Sequence, residues 1–93
     1  MKSLTVNGRL GTTQVKAYTT SAAIDNAVGA QTRMVRVVVT SAAHIAIGTS
    51  PTATTSDPYM PANVPEVFLI NPGEKVAAVQ VSSGGNLHVT ELA

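Results

Sequence analysis

The chain has 93 residues, of which 44% are apolar and only 12% are charged, and its formal net charge at pH 7 is +1. This length predicts a single domain, and the charged fraction is about half of the ~25% found in typical soluble domains. The near-neutral balance leaves no basic stripe for nucleic acid and no polybasic cluster for a membrane surface. The absence of cysteine excludes disulfides, thiolate nucleophiles and cysteine-ligated zinc. Because little charge keeps copies apart, the composition favours self-association or packing onto a larger assembly.

The N-terminal third, residues 1–30, is interpreted as an extended arm followed by a first hairpin. Ser3–Val6 is a candidate short strand, Asn7-Gly8 is a turn signal, and Gln14–Thr19 alternates as a second strand. For residues 20–29, a short helical turn and an irregular strand remain equally open. The N-terminus lacks the apolar core of a secretory signal, so we expect the protein to be made in the cytoplasm of its producer without standard export.

Residues 31–93 predict the body of an all-β domain, either a β-sandwich or a jelly-roll-like barrel. Short apolar runs alternate there with turn signals at spacings of roughly 8–12 residues, the pattern of such folds. The abundance of threonine and valine agrees with this, since branching at Cβ suits a pleated strand. Strands are predicted at 34–39, 43–47, 67–70, 76–81 and 87–92.

The strand at 34–39 is predicted to be central in its sheet. Val35, Val37 and Val39 share one face, and the other face carries two further apolar residues beside Arg36. Strands with two mostly apolar faces are typically covered on both sides.

Proline and glycine mark the connections between these strands. Asn71-Pro72-Gly73-Glu74 has proline and glycine at the second and third positions, as a type II turn requires. Gly84-Gly85 predicts a two-residue hairpin that joins the strand at 76–81 to the strand at 87–92. Residues 49–65 form a predicted loop, whose four prolines keep it out of any central sheet position.

The sequence offers little for a catalytic or metal centre. His44 and His88, the two histidines, could form a metal site with Glu91 or Glu66, but their spacing matches no recognised ligand pattern. The five acidic residues are scattered, whereas glycosidase chemistry needs two that converge across a cleft. No serine lies in a Gly-x-Ser-x-Gly elbow. We therefore expect no catalytic residue, no cofactor and no metal, and do not expect an enzyme.

The proline-flanked pair Tyr59-Met60 is the most interesting candidate contact in the predicted loop. An aromatic ring and a methionine held by prolines form a stiff yet adaptable apolar contact of the kind that partner surfaces use. An equally weighted interpretation is that one of them folds back as a lid over an end of the core.

Five segments of the sequence resemble small virion proteins of tailed bacteriophages, over roughly residues 34–92. They are HIAIGTSPTAT at 44–54, MPA at 60–62, PE at 65–66, NPGEKVA at 71–77 and LHVTE at 87–91. Several β modules of this kind look like capsid decoration, or cement, proteins that sit as trimers on the outside of the head. The shared residues are structural and carry no catalytic group.

This resemblance implies a homotrimer on the exterior of a virion capsid, with the major capsid protein as its partner and no nucleic acid or membrane contact. Its task would be to bridge adjacent capsomers against the pressure of packaged DNA. We expect the capsid or partner contacts in the segment 1–9 and in the loop 49–65, at Met1, Lys2, Leu4, Val6, Arg9, Tyr59 and Met60.

The alternative is a tail- or fibre-associated virion β module that binds a carbohydrate or a receptor. The chain has three aromatic residues and no tryptophan, which argues against a sugar-stacking face. The sequence also leaves open whether the sheet edges are closed within one subunit or by a neighbour's strand, which would be a natural use of the arm.

Overall fold

The computed structural model describes residues 10–92, and this part of the chain contains eight β-strands and no helix. The strands are, in chain order, β1 (Leu10–Tyr18), β2 (Ala22–Ala23), β3 (Met34–Val39), β4 (Ala43–Gly48), β5 (Tyr59–Met60), β6 (Glu66–Leu69), β7 (Lys75–Gln80) and β8 (Gly85–Leu92). They form a front sheet with the order β1-β8-β3-β6 and a back sheet with the order β2-β7-β4-β5. The two antiparallel sheets pack face to face, which confirms the predicted all-β sandwich.

The core lies between the sheets and is built from aliphatic side chains at alternate strand positions. Val35, Val37 and Val39 of β3 are completely buried, as are Leu87 of β8 and Val76 of β7. Full burial of one such side chain stabilises the fold by about 1.5–3 kcal/mol. The strict alternation of valines in β3 therefore fixes which face of the front sheet points inward.

The prediction for β3 is right about its position and wrong about its second face. β3 is a central strand, paired with β8 on one side and β6 on the other. On its outer face, however, Arg36 is exposed and Met34 and Val38 are only half-buried. No element within residues 10–92 covers this face, so its apolar side chains remain in contact with solvent.

Residues 10–30 belong to the sandwich, so that of the predicted arm only residues 1–9 remain, and these lie outside the described part of the chain. β1 pairs along its length with β8, and β2 pairs with β7 in the other sheet. The segment at 20–29 thus contains a short irregular strand, which decides between the two alternatives. The hairpin predicted at Asn7-Gly8 also lies outside the described residues.

Two polar contacts hold the segment after β2 against β1. The side chain of Gln14 exchanges two hydrogen bonds with the backbone of Asn26, at 2.8 and 3.0 Å. Lys16 Nζ lies 2.8 Å from Asp25 Oδ1. Tyr18, the last residue of β1, is buried and donates its hydroxyl hydrogen to the carbonyl of Ser41. Side-chain contacts therefore hold β1 in place at Gln14, Lys16 and Tyr18.

The turn at residues 71–74 has the predicted type II geometry. Gly73 has a φ of 85°, and the Glu74 amide donates to the Asn71 carbonyl at 3.1 Å. This turn does not join neighbouring strands, because β6 and β7 belong to different sheets. It carries the chain from the front sheet to the back sheet.

The hairpin predicted at Gly84-Gly85 is wrong. β7 lies in the back sheet and β8 in the front sheet, so the turn between them crosses the sandwich. The glycines serve close packing instead: a Cβ on Gly85 would lie 2.7 Å from Thr40 Oγ1 and 3.0 Å from the Tyr18 hydroxyl. Glycine is required here because the backbone packs directly against the Tyr18 end of the core.

The proline-rich loop at 49–65 stays out of the centre of both sheets, as predicted. Its only strand within the described residues is β5, two residues long, at the edge of the back sheet. Asp57 closes a tight turn by accepting a hydrogen bond from the Thr54 amide at 2.8 Å. Because β5 is so short, part of β4 has no outer neighbouring strand within residues 10–92.

Candidate interaction surface

The outer face of the front sheet carries a row of four apolar side chains that spans all four strands. Leu10 lies opposite Leu92, Leu92 opposite Met34, and Met34 opposite Leu69. Leu10 is 74% exposed and Leu69 is 79% exposed, whereas Leu92 between them is only 4% exposed. The row is thus buried at Leu92 and exposed at both ends.

Two further rows continue this face. Thr13, Thr90, Arg36 and Val67 form the second row, in which the hydroxyls of Thr13 and Thr90 lie 2.9 Å apart. The third row contains Val15, His88 and Val38. Arg36 is the single formal charge in the three rows, which leaves a predominantly apolar surface.

We call these three rows the outer apolar face. Four of the seven large apolar side chains that are exposed in the described part of the chain lie on it: Leu10, Val15, Val67 and Leu69. Single exposed apolar residues are ordinary on protein surfaces, but their concentration on one sheet face marks an interaction site. Since small-molecule sites are concave and this face is the outer side of a sheet, it suits a protein surface better than a small molecule.

A cleft opens at the side of the sandwich where the front sheet ends in β6. It has a volume of about 250 Å³ and is lined by Ile45, Ala46, Ile47, Asp57, Pro58 and Phe68. β5 pairs only with Ala43 and His44, so β4 beyond these residues has no neighbouring strand on this side within residues 10–92. The cleft is therefore the space that a longer β5 would have closed.

The two residues of the proline-flanked pair, Tyr59 and Met60, differ in burial, and each agrees with a different one of the two interpretations. Met60 is 1% exposed and belongs to the core, so the lid interpretation holds for Met60, which is thereby removed from the candidate partner contacts. Tyr59 is 58% exposed and remains a candidate contact. Its ring packs edge-on against His44 with 5.9 Å between the ring centres, and His44 Nδ1 lies 2.8 Å from the Asp57 carbonyl oxygen.

The other predicted contacts, Met1, Lys2, Leu4, Val6 and Arg9, lie outside the described residues. The prediction missed Leu10, Val15, Arg36, Val67 and Leu69, which the front sheet brings onto one face. A signal for them exists in the sequence: Val67, Phe68 and Leu69 place apolar side chains on both alternating faces of the strand, although prolines precede it. That combination is typical of an edge strand with one uncovered face.

The metal site considered for the two histidines is not formed. His44 lies in the back sheet and His88 in the front sheet. Glu91 accepts hydrogen bonds from the Gly29 amide and the Thr32 hydroxyl, and so serves the packing of the residues before β3. No group of three or more metal-ligating side chains occurs within residues 10–92.

Two ionisable groups have shifted pKa values, and both shifts have structural causes. Burial raises the pKa of the Tyr18 hydroxyl above its ordinary value of 10.0. The hydrogen bond from Lys16, together with its positive charge, lowers the pKa of Asp25. Neither group lies on the outer apolar face, so both shifts report on the fold and not on a site for chemistry.

The comparisons with known proteins return no match: no family model, no curated protein and no solved structure is similar to this chain. In the part of the chain that the structure describes, no helix is long and apolar enough to span a membrane. The functional argument therefore depends on the geometry of the surface and on the residues that compose it.

Proposed function

We propose that this protein is a structural virion protein of a tailed bacteriophage that decorates the exterior of the capsid and stabilises it by bridging capsomers. The observation that carries this proposal is the outer apolar face, which presents Leu10, Val15, Val67 and Leu69 to solvent. Surfaces of this kind are stable in a soluble protein chiefly when a partner covers them. The resemblance of residues 34–92 to small phage virion proteins supports the major capsid protein as that partner.

The charge pattern of the face specifies what the partner surface should contain. Arg36 stands in the middle row and pairs across the strands with Thr90 and Val67. Two copies packed face to face around a two-fold axis would bring their Arg36 side chains together, which is unfavourable. An apolar patch with a central carboxylate is the complementary surface, so the face suits a different protein better than a second copy.

A mechanical role agrees with the β-sandwich that residues 10–92 form. A decoration protein acts through many contacts of modest strength, and attachment of linked copies raises the apparent affinity by a factor of about 10²–10⁴. Small size and a rigid sandwich suit this task, because a rigid body transmits load between the capsomers that it bridges.

The proposal is tested by co-sedimentation of the purified protein with heads of its own phage that were assembled without it. The native protein should bind saturably, whereas Val15→Asp and Arg36→Glu should each weaken binding by at least about tenfold. Val81→Asp is the matched control, because Val81 is similarly exposed, at 47%, but directly follows β7, a strand of the back sheet. Equal binding of all four proteins, or no binding to heads, would contradict the proposal.

A tail- or fibre-associated module that binds a carbohydrate is the second candidate, and one observation favours it. Tyr59 exposes more than half of its surface and is held by His44, as a ring that stacks on a sugar would be. Binding of the labelled protein to host cell-surface glycans, abolished by Tyr59→Ala but not by Val15→Asp, would favour this function over capsid decoration.

A further inference from the structure

We propose that the open edge of β6 accepts an extended strand from a neighbouring copy of the chain, formed by residues 3–6. The inference deepens the proposed function and rests on it, because the resemblance behind that function implies that the protein self-associates as a homotrimer. The added strand would join neighbouring copies and would place side chains in the cleft beside Phe68.

The first observation is the edge itself. β6 is the last strand of the front sheet, and the Ile70 amide donates to the Arg33 carbonyl at 3.0 Å on the side of β3. Because amides alternate along a strand, those of Val67 and Leu69 point away from β3, towards the open side. Edges are usually protected by charge, proline or a bulge, yet β6 carries one charge, at its first residue.

The second observation is the cleft of about 250 Å³ that lies directly beside this edge. A strand added to β6 would place every second side chain on the Phe68 side, over the cleft, and the remaining ones on the outer apolar face. A cavity of about 150 Å³ holds a benzene ring, so this cleft has room for aliphatic side chains. The edge therefore requires a short strand with apolar residues at alternate positions.

The segment that precedes β1 has this pattern. In Ser3-Leu4-Thr5-Val6, the two aliphatic residues alternate with two small hydroxyl residues, and no charged residue occurs from Ser3 to Gly8. Leu4 and Val6 would enter the cleft, while Ser3 and Thr5 would face outward. β-branched and aliphatic residues in this order also favour an extended conformation.

A distance argument decides that the strand comes from a neighbouring copy. β1 and β6 lie at opposite edges of the front sheet, so a strand added beyond β6 is four strand spacings from β1, about 19 Å. The four Cα–Cα steps from Val6 to Leu10 span at most about 14 Å even when fully extended. Residues 3–6 therefore fall short of the β6 edge of their own subunit.

The resulting contact is head to tail, because each copy donates at its β1 side and accepts at its β6 side. Contacts of this type generate closed rings when the rotation between copies closes. A ring of three agrees with the homotrimer that the resemblance implies, and in it every β6 edge would be paired.

The test is the native mass of the full-length protein, measured by sedimentation equilibrium over a range of concentrations. The native chain should form a closed oligomer, near 28.5 kDa for three copies of 9.5 kDa. The double substitution Leu4→Asp with Val6→Asp should weaken assembly by at least about tenfold, because it puts charges over an apolar cleft. Its matched control is Ser3→Asp with Thr5→Asp, which adds the same charges to the outward positions and should assemble nearly normally.

A second pair of variants tests the acceptor. Val67→Pro removes an amide that points to the open edge and leaves the bonds to β3 in place, so it should also weaken assembly by about tenfold or more. Val67→Thr keeps the amide and should assemble. If Val67→Pro loses its β-sheet circular dichroism signal, the comparison of the Leu4/Val6 and Ser3/Thr5 double variants is the test of the inference.

A monomeric native protein, or equal assembly of the two arm variants, would overturn the inference. Failure of the proposed function is separately visible. Normal self-association without binding to heads would contradict capsid decoration and leave the strand exchange standing.

Discussion

Leu10 and Leu69 lie at opposite ends of one row that crosses the whole front sheet, with Leu92 and Met34 between them. Both are more than 70% exposed although they belong to paired strands of the sandwich. The same sheet buries the valines of β3 completely on its other side. The front sheet thus has two largely apolar faces: one holds the buried valines of β3, and the other keeps Leu10 and Leu69 exposed at its two edges.

This difference between the two faces predicts that two leucine truncations affect the free energy of unfolding by different amounts. Leu87→Ala removes a fully buried side chain between the sheets and should lower the free energy of unfolding by about 2–5 kcal/mol. Leu69→Ala removes an exposed side chain and should change it by less than about 0.5 kcal/mol. Urea denaturation of both variants, under conditions where the protein is monomeric, measures the two values.

For binding to heads, we expect the larger effect from the exposed leucine and the smaller effect from the buried one. Leu69→Ala should weaken co-sedimentation with heads, whereas folded Leu87→Ala, measured well below its denaturation midpoint, should bind nearly as the native protein does. A large loss of stability in Leu69→Ala would mean that the outer apolar face serves the fold and would contradict its assignment as a contact surface.

Gly73 should be the glycine that tolerates alanine least for reasons of backbone conformation. Its φ of 85° lies in the left-handed region, where a Cβ is unfavourable. Gly73→Ala should therefore destabilise the protein by about 1–2 kcal/mol. Gly48→Ala is the control, since a Cβ at Gly48 would meet no atom within 4 Å. Thermal denaturation of both variants tests the difference, and equal melting temperatures would refute the conformational role of Gly73.

Stability should decline at alkaline pH because of Tyr18. Burial holds the pKa of this hydroxyl above 10.0 in the folded state, so the unfolded chain loses the proton at a lower pH than the folded chain does. The stabilisation is fully present below pH 10 and is lost as the pH rises through the higher pKa of the folded state.

Tyr18→Phe isolates this effect. It should cost about 1 kcal/mol at pH 8, because the carbonyl of Ser41 loses its donor, and it should flatten the decline above pH 10. Tyr59→Phe is the control: Tyr59 is exposed, so its variant should keep the decline. Denaturation curves at pH 8, 10 and 11 give the comparison, and a decline of equal steepness in Tyr18→Phe would disprove the assignment.

The fold was largely predictable from the sequence because its strands carry clear local signals. The alternating valines of β3 and the residues Pro72-Gly73 predicted a central strand and a type II turn, and both are present. What local signals do not contain is the sheet to which each strand belongs. Gly84-Gly85 has the composition of a hairpin, yet its glycines are there because Thr40, Ser41 and Tyr18 leave no room for a Cβ.

The candidate surface was harder to predict for the same reason. Leu10, Met34 and Leu69 are far apart in the sequence, and only the register of β1, β8, β3 and β6 aligns them in one row. The apolar residues on both faces of β3 led to the prediction that the strand is covered on both sides. The second apolar face exists, but no element within residues 10–92 covers it. Met60 shows the opposite error, because a residue in an exposed-looking loop turned out to complete the core.

Cryo-electron microscopy of the mature virion that contains this protein tests the central claim most directly. The account predicts density for the sandwich on the outside of the head, with the face that carries Val15, Arg36 and Leu69 against the major capsid protein and a capsid carboxylate near Arg36. Density confined to the tail or fibres, or a head-bound sandwich whose outer apolar face points to solvent, would contradict it.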